Sequence, residues 1–130
     1  MNNQLVRLQQ ITAAALDLAL SDLQKIRQKQ TQHRHAIAQL RRRKQTLEQQ
    51  HVGEHLSDHI QQFQTWKRWC HREIVRHNTA LAELAVESEI QEHRARLQFG
   101  RNQVAGKLAT NAVDRQQRKL IRKEEALRSF

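Results

Sequence analysis

Apolar residues in the first half of the chain fall alternately three and four apart. Leu23, Ile26, Gln30, His33, Ile37, Leu40, Lys44 and Leu47 form a heptad stripe, and Ala19, Leu16, Thr12, Gln9 and Leu5 continue it backwards. Leu8, Ile11, Ala15 and Leu20 widen that face near the start. Gln30, His33 and Lys44 put polar groups at core positions, where they cost stability and fix register. A second stripe runs through Ile60, Phe63, Lys67, Cys70, Ile74, His77, Leu81 and Leu84. Lys67 is its misfit, and Trp66 stands beside it, placed to cover the same groove. After Leu84 the phase slips. Ile90, Leu97 and Val104 recur every seven residues on a different face, Leu108 follows, and Val113, Leu120 and Leu127 form another sevenfold series. Such slips alter supercoil winding or mark a change of partner.

The two stripes are not one. Leu47 and Ile60 lie 13 residues apart, which breaks the heptad phase. Gly53 sits in that gap, and Ser57 and Asp58 offer side chains suited to capping a new helix. The pattern predicts an all-α fold, a long antiparallel two-helix coiled-coil hairpin whose second helix is longer than its first. The helices are expected at about 4–50 and 57–127, with a turn at about 51–56. A hairpin centred near Gly53 sets Leu40 opposite Trp66, Ile26 opposite Ala80, Leu16 opposite Ile90 and Leu5 opposite Arg101. Residues from about 105 onward then lack a partner. A single long helix that dimerises in parallel is the alternative.

Composition agrees with long helices. The chain has 130 residues, no proline and three glycines, so it carries little turn chemistry. Hydrophobic residues make up 38% and aromatics 4%, a thin core for one domain. The formal charge of +10 is uneven: residues 1–50 and 94–130 are basic, and 51–93 are mildly acidic. Basic ends suit nucleic acid, anionic lipid or an acidic protein surface. Cys70 is the lone cysteine, which points to a reducing cytoplasm. No signal-like start is evident, and the apolar cluster Ile11 to Leu20 is too short and polar to span a bilayer.

Candidate chemistry is sparse. His51, His55 and His59 have metal-ligand spacing, but Gly53 interrupts the run, so solvated histidines at a turn are the reading. Cys70, His71, Glu73 and His77 form a second cluster; Cys70 and His77 fall on the core stripe, so packing accounts for them. The glycines at 53, 100 and 106 are isolated and make no phosphate loop, and Glu83, Glu87, Glu89 and Glu92 spread around a helix. We expect no enzyme, no cofactor, no metal and no small-molecule substrate. Phe63, Trp66 and Trp69 cluster beside the turn, and Trp69, with Arg72 and Arg76, is expected to point outward as a contact for another protein or a cover for the hairpin tip. Arg115, Arg118, Lys119, Arg122, Lys123 and Arg128, with Leu120, Ile121 and Leu127, form a basic amphipathic helix that suits an anionic membrane, nucleic acid or a protein ring.

These features together resemble the FliJ/YscO-type stalk proteins of flagellar and type III export machines. His59 to Leu81 looks like the start of that family's second helix, and Leu97 to Glu125 like its late part. The resemblance implies a cytoplasmic stalk, peripheral at the inner face of the cell membrane. It would couple a hexameric export ATPase to the cytoplasmic domain of the export gate, and in some cases escort export chaperones. It implies gate-facing residues Phe63, Trp66, Trp69 and Ile74, and ATPase-facing residues Leu5, Arg7, Leu120, Arg122, Lys123 and Leu127. The polar core layer at Gln30 and His33 and the short turn depart from the family pattern. The competing expectation is a basic coiled-coil adaptor that binds nucleic acid or anionic membrane through its C-terminal helix. A third is a generic phage or cytoskeletal coiled coil whose function is oligomerisation.

Overall fold

A computed structural model describes residues 2–51 and 60–129. They form two helices that pack against each other, α1 (Asn2–His51) and α2 (Ile60–Arg128). The long runs without proline and rich in Gln, Arg, Leu and Ala favour helix throughout. Thr31, Thr65, Thr79 and Thr110 each donate a hydroxyl hydrogen bond to the carbonyl four residues back, which accommodates them inside the helices. The expected turn, the Ser57–Asp58 cap and the histidines at 55 and 59 lie outside the described residues.

Contacts divide the chain into two units, residues 24–90 and residues 1–23 with 91–130. In the 24–90 unit Ile37, Leu40, Cys70 and Leu84 are buried. Ile26, Gln30, His33, Lys44, Leu47, Phe63, Ile74, His77 and Leu81 are half-buried on the same stripes. Each of these lies on the three-four stripes, whereas Ile60, expected to begin the second stripe, is 51% exposed. Lys67 is turned out, with its Nζ 5.9 Å from the centroid of the Phe63 ring and 3.2 Å from Glu48 Oε1 on α1. Trp66 is half-buried in its stead. The His33 and His77 rings meet across the interior with Nδ1 atoms 2.8 Å apart.

In the 1–23/91–130 unit, Ala19, Leu23, Gln91, Ala95 and Ala105 are buried. Here the structure corrects the sequence reading. The buried and half-buried positions of α2 continue past Leu84 as Ser88, Gln91, Ala95, Gln98, Asn102, Ala105, Ala109 and Ala112, in unbroken alternation of three and four. No phase slip occurs. The interior simply changes from large aliphatic to small and polar side chains. Ile90, Leu97 and Val104, which suggested a slip, are exposed. The polar members find partners: Gln91 Nε2 donates to the Ala19 carbonyl, and the Thr12 hydroxyl lies 3.0 Å from Asn102 Oδ1. Among the described residues no buried side-chain nitrogen or oxygen lacks a hydrogen-bond partner.

Register differs as well. Within each unit the facing segments run antiparallel: Ala19 meets Gln91 and Thr12 meets Asn102, while His33 meets His77 and Glu48 meets Lys67. Leu40 shares a groove with Trp69, Glu73 and His77, beyond the expected Trp66. Leu5 shares one with Ala109 to Asp114 rather than meeting Arg101. The midpoints of the pairs fall later in the chain than Gly53. Seating of the two stripes sets the register, and the position of a glycine does not. The covered part of α2 therefore extends to Ala112, several residues past the expected limit near 105.

Candidate partner-binding surfaces

The aromatic region belongs to the first two and a half turns of α2. Phe63 and Trp66 are half-buried, because three-four spacing turns both toward α1; Ile74, two turns on, is half-buried for the same reason. Trp69 is 44% exposed, since it lies just off the stripe. One side of it lines a shallow groove of about 170 Å³ with Ala36, Gln39, Leu40, Arg43, Glu73 and His77. Its expected outward direction is observed. Of the four residues in this region, Trp69 is the one with most surface to offer.

A second groove of about 640 Å³ in the same unit is lined by Lys44, Gln64, Lys67, Arg68, His71 and Arg72. It is basic, and Lys67 is already engaged by Glu48. Cys70 lies fully buried behind this region. Burial pushes its thiol pKa above the ordinary 9.0, a rise that the charges of Lys44 and Arg43 partly offset. Its full burial makes the Cys70 side chain part of the packed interior of this unit. His77 is equally occupied, by His33.

The residues expected to face an ATPase separate into two sets. Leu5 is half-buried in a groove with Val6, Gln9, Ala109, Thr110, Ala112, Val113 and Asp114, and Arg7 is exposed. Leu120, Arg122, Lys123 and Leu127 lie farther along α2, where every residue from 113 to 129 is exposed. Leu120 is 60% and Leu127 77% accessible. Leu5 is thus brought to Ala109–Asp114 and not to Leu120 or Leu127.

No family model, curated protein or solved structure matches this chain. No helix among the described residues is long and apolar enough to cross a membrane, and no group of three or more His, Cys, Asp or Glu among them is arranged to hold a metal ion.

The sequence reading missed one surface. In the 1–23/91–130 unit, Leu8, Thr12, Arg96, Leu97, Gly100, Arg101, Val104, Ala105 and Leu108 line a groove of about 580 Å³. Its signal was in view: the sevenfold Leu97–Val104 repeat and the extra Leu8 on α1. By spacing alone the repeat reads as a shifted core stripe, whereas it is an outer one.

Proposed function

We propose that this chain is a non-enzymatic coiled-coil stalk, a single antiparallel hairpin that couples a hexameric export ATPase to a membrane export gate in a flagellar or type III export apparatus. It works in the cytoplasm at the inner face of the membrane, and it can also escort export chaperones. The observation that carries this reading is the C-terminal stretch of α2. Residues 113–128 continue as helix with every side chain exposed, and they hold Arg115, Arg118, Lys119, Arg122, Lys123 and Arg128 beside Val113, Leu120 and Leu127. A helix that outruns its internal partner, with an apolar stripe edged by cations, is shaped to enter a larger assembly. Leu5, Arg7, Leu120, Arg122, Lys123 and Leu127 would serve the ATPase, and Phe63, Trp66, Trp69 and Ile74 the gate, with Trp69 foremost because it is the exposed one. No cofactor takes part. The test is to mix the purified chain with the export ATPase of the same cell and follow co-sedimentation and ATP turnover. Binding with faster hydrolysis supports the proposal; neither effect sinks it.

The same exposed basic stretch supports a second reading, an adaptor that binds nucleic acid or an anionic membrane. That reading requires affinity that falls steeply with salt and that drops when Arg118, Lys119, Arg122 and Lys123 are neutralised together.

A further inference from the structure

In unit 1–23/91–130 the α2 helix turns its small and polar side chains inward and its large aliphatic ones outward. Its α2 interior is Ala95, Gln98, Asn102, Ala105, Ala109 and Ala112, while Leu97, Val104 and Leu108 face outward and are 45–57% exposed. On α1, Leu8 and Ile11 are likewise exposed. Small side chains inside let two helices approach closely; large aliphatic ones outside expose area that burial would stabilise. Leu8 from α1 joins Leu97, Val104 and Leu108 from α2 in one groove, so the outer apolar residues converge instead of scattering.

Gly100 lies in that groove, and it is an independent clue. Glycine inside a helix is destabilising relative to alanine. Within this chain nothing requires it: a Cβ at position 100 meets no atom within 4 Å. Gly106 differs, because a Cβ there meets the Gln9 side-chain amide at 3.5 Å. The bare backbone at Gly100 therefore leaves room for something that approaches from outside.

Charge identifies its chemistry. The groove is lined by two cations, Arg96 and Arg101, with no carboxylate among its lining residues; Arg96 Nη2 lies 3.8 Å from Glu92 Oε2 one turn back, a loose pair that leaves the Arg96 side chain largely exposed. A second copy of the chain, seated groove to groove, brings these arginines against their equivalents. Like charges facing each other in that way disfavour the pairing. Nucleic acid matches the charge but leaves Leu8, Leu97, Val104 and Leu108 without a counterpart. A helix with an apolar stripe edged by Asp or Glu satisfies both requirements.

We propose that the groove formed by Leu8, Leu97, Gly100, Val104 and Leu108 is a docking site for an amphipathic helix of a partner protein, with carboxylates flanking its apolar stripe. The carboxylates meet Arg96 and Arg101, and the stripe passes over Gly100, where the backbone permits the closest approach. This site shares no residue with the exposed C-terminal stretch, and it does not rest on the stalk reading.

Two fluorescent helical peptides of about three heptads test it against the full chain by anisotropy. Both carry the same leucine stripe; glutamates flank it in one, lysines in the other. The acidic peptide is expected to bind at least about tenfold more tightly. Gly100→Leu is expected to keep the helical circular dichroism spectrum, since its side chain enters open space, and to abolish binding by filling the groove. Leu97→Gln, a change at an exposed position, is a second variant expected to weaken binding without unfolding. Equal affinity for both peptides overturns the proposal, as does undiminished binding by Gly100→Leu. Sedimentation showing a dimer of the wild type that Leu97→Gln dissociates also overturns it, by assigning the groove to a second copy.

Discussion

Gln91 reaches from α2 and donates its side-chain amide to the backbone carbonyl of Ala19 on α1 at 3.0 Å, and both residues are buried. A carbonyl already used by its own helix accepts this second bond through its other lone pair. The contact requires close helices, and the methyl of Ala19 permits that.

This pair gives a first prediction. Gln91→Ala is expected to destabilise by about 1 kcal/mol, the net value of a typical hydrogen bond. Ala19→Leu is expected to cost about 1–3 kcal/mol, because it overpacks the narrow interior and lifts the amide from its acceptor. Urea titration followed by circular dichroism measures both; a neutral Ala19→Leu would contradict the close approach.

His33 and His77 share one hydrogen bond through their Nδ1 atoms at 2.8 Å. One ring must donate and the other accept, so the neutral pair holds one Nδ1–H and one Nε2–H tautomer. Long-range nitrogen–proton NMR spectra distinguish these forms, and two identical tautomers would be incompatible with the contact. A double-mutant cycle with alanine at each position is expected to show coupling of about 0.5–1.5 kcal/mol.

The same facing pair tests the hairpin. In a Cys70→Ala background, His33→Cys with His77→Cys is expected to oxidise to a disulfide within one chain. Non-reducing electrophoresis at low protein concentration reads the outcome, and a ladder made only of intermolecular products argues for a straight parallel dimer instead.

Cys70 gives a pH dependence with a definite sign. Its burial raises the folded thiol pKa above the ordinary 9.0. Between the unfolded and folded values the native state holds the proton more firmly than the unfolded chain does. Stability is then intact below the unfolded pKa and declines as pH rises from about 9.0 through the folded value. Cys70→Ala is expected to flatten that alkaline decline in urea titrations at stepped pH, and a slope unchanged by the substitution counts against the burial account. In the native protein Cys70 should also react slowly with a thiol reagent until urea is added.

Removing residues 118–130 is expected to shift the thermal midpoint little, since the described side chains there are exposed. A large drop in midpoint would show that the stretch stabilises the helix pair.

The stripe on α1 was legible from Leu5 to Leu47 apart from Gln9, and that on α2 from Phe63 to Leu84 apart from Lys67, because Leu and Ile recur at the inward positions between the polar ones; Leu8, Ile11 and Leu20, expected to widen the α1 face, and Ile60, expected to begin the α2 stripe, are exposed. Legibility ended at Ser88 for a physical reason. Periodicity methods find burial by its usual correlate, hydrophobicity, and Ser88, Gln91, Gln98 and Asn102 are inward without being apolar. Hydrogen bonding across the helices satisfies Gln91 and Asn102, which no spacing rule reports. The loud signal from Leu97 and Val104 belonged to the outer face. Among candidate contact residues, the exposure of Trp69 followed from its place off the stripe. The groove around Gly100 did not, because it depends on which α1 residue stands opposite, and register was misjudged from Gly53.

The alanine-lined interior has one more consequence. Alanine methyls remove little apolar area from water, so in the 1–23/91–130 unit the α2 side adds little to the hydrophobic free energy that Leu16 and Leu23 supply from α1. Globular domains bury their apolar surface between layers of structure. In this unit Leu97, Val104 and Leu108 stay 45–57% exposed, so apolar area remains on α2 that a further layer would cover. A helix docked there as proposed would stabilise the unit by RT ln(1 + L/Kd), where L is the free partner concentration, so its stability would climb with partner concentration even after the groove is filled.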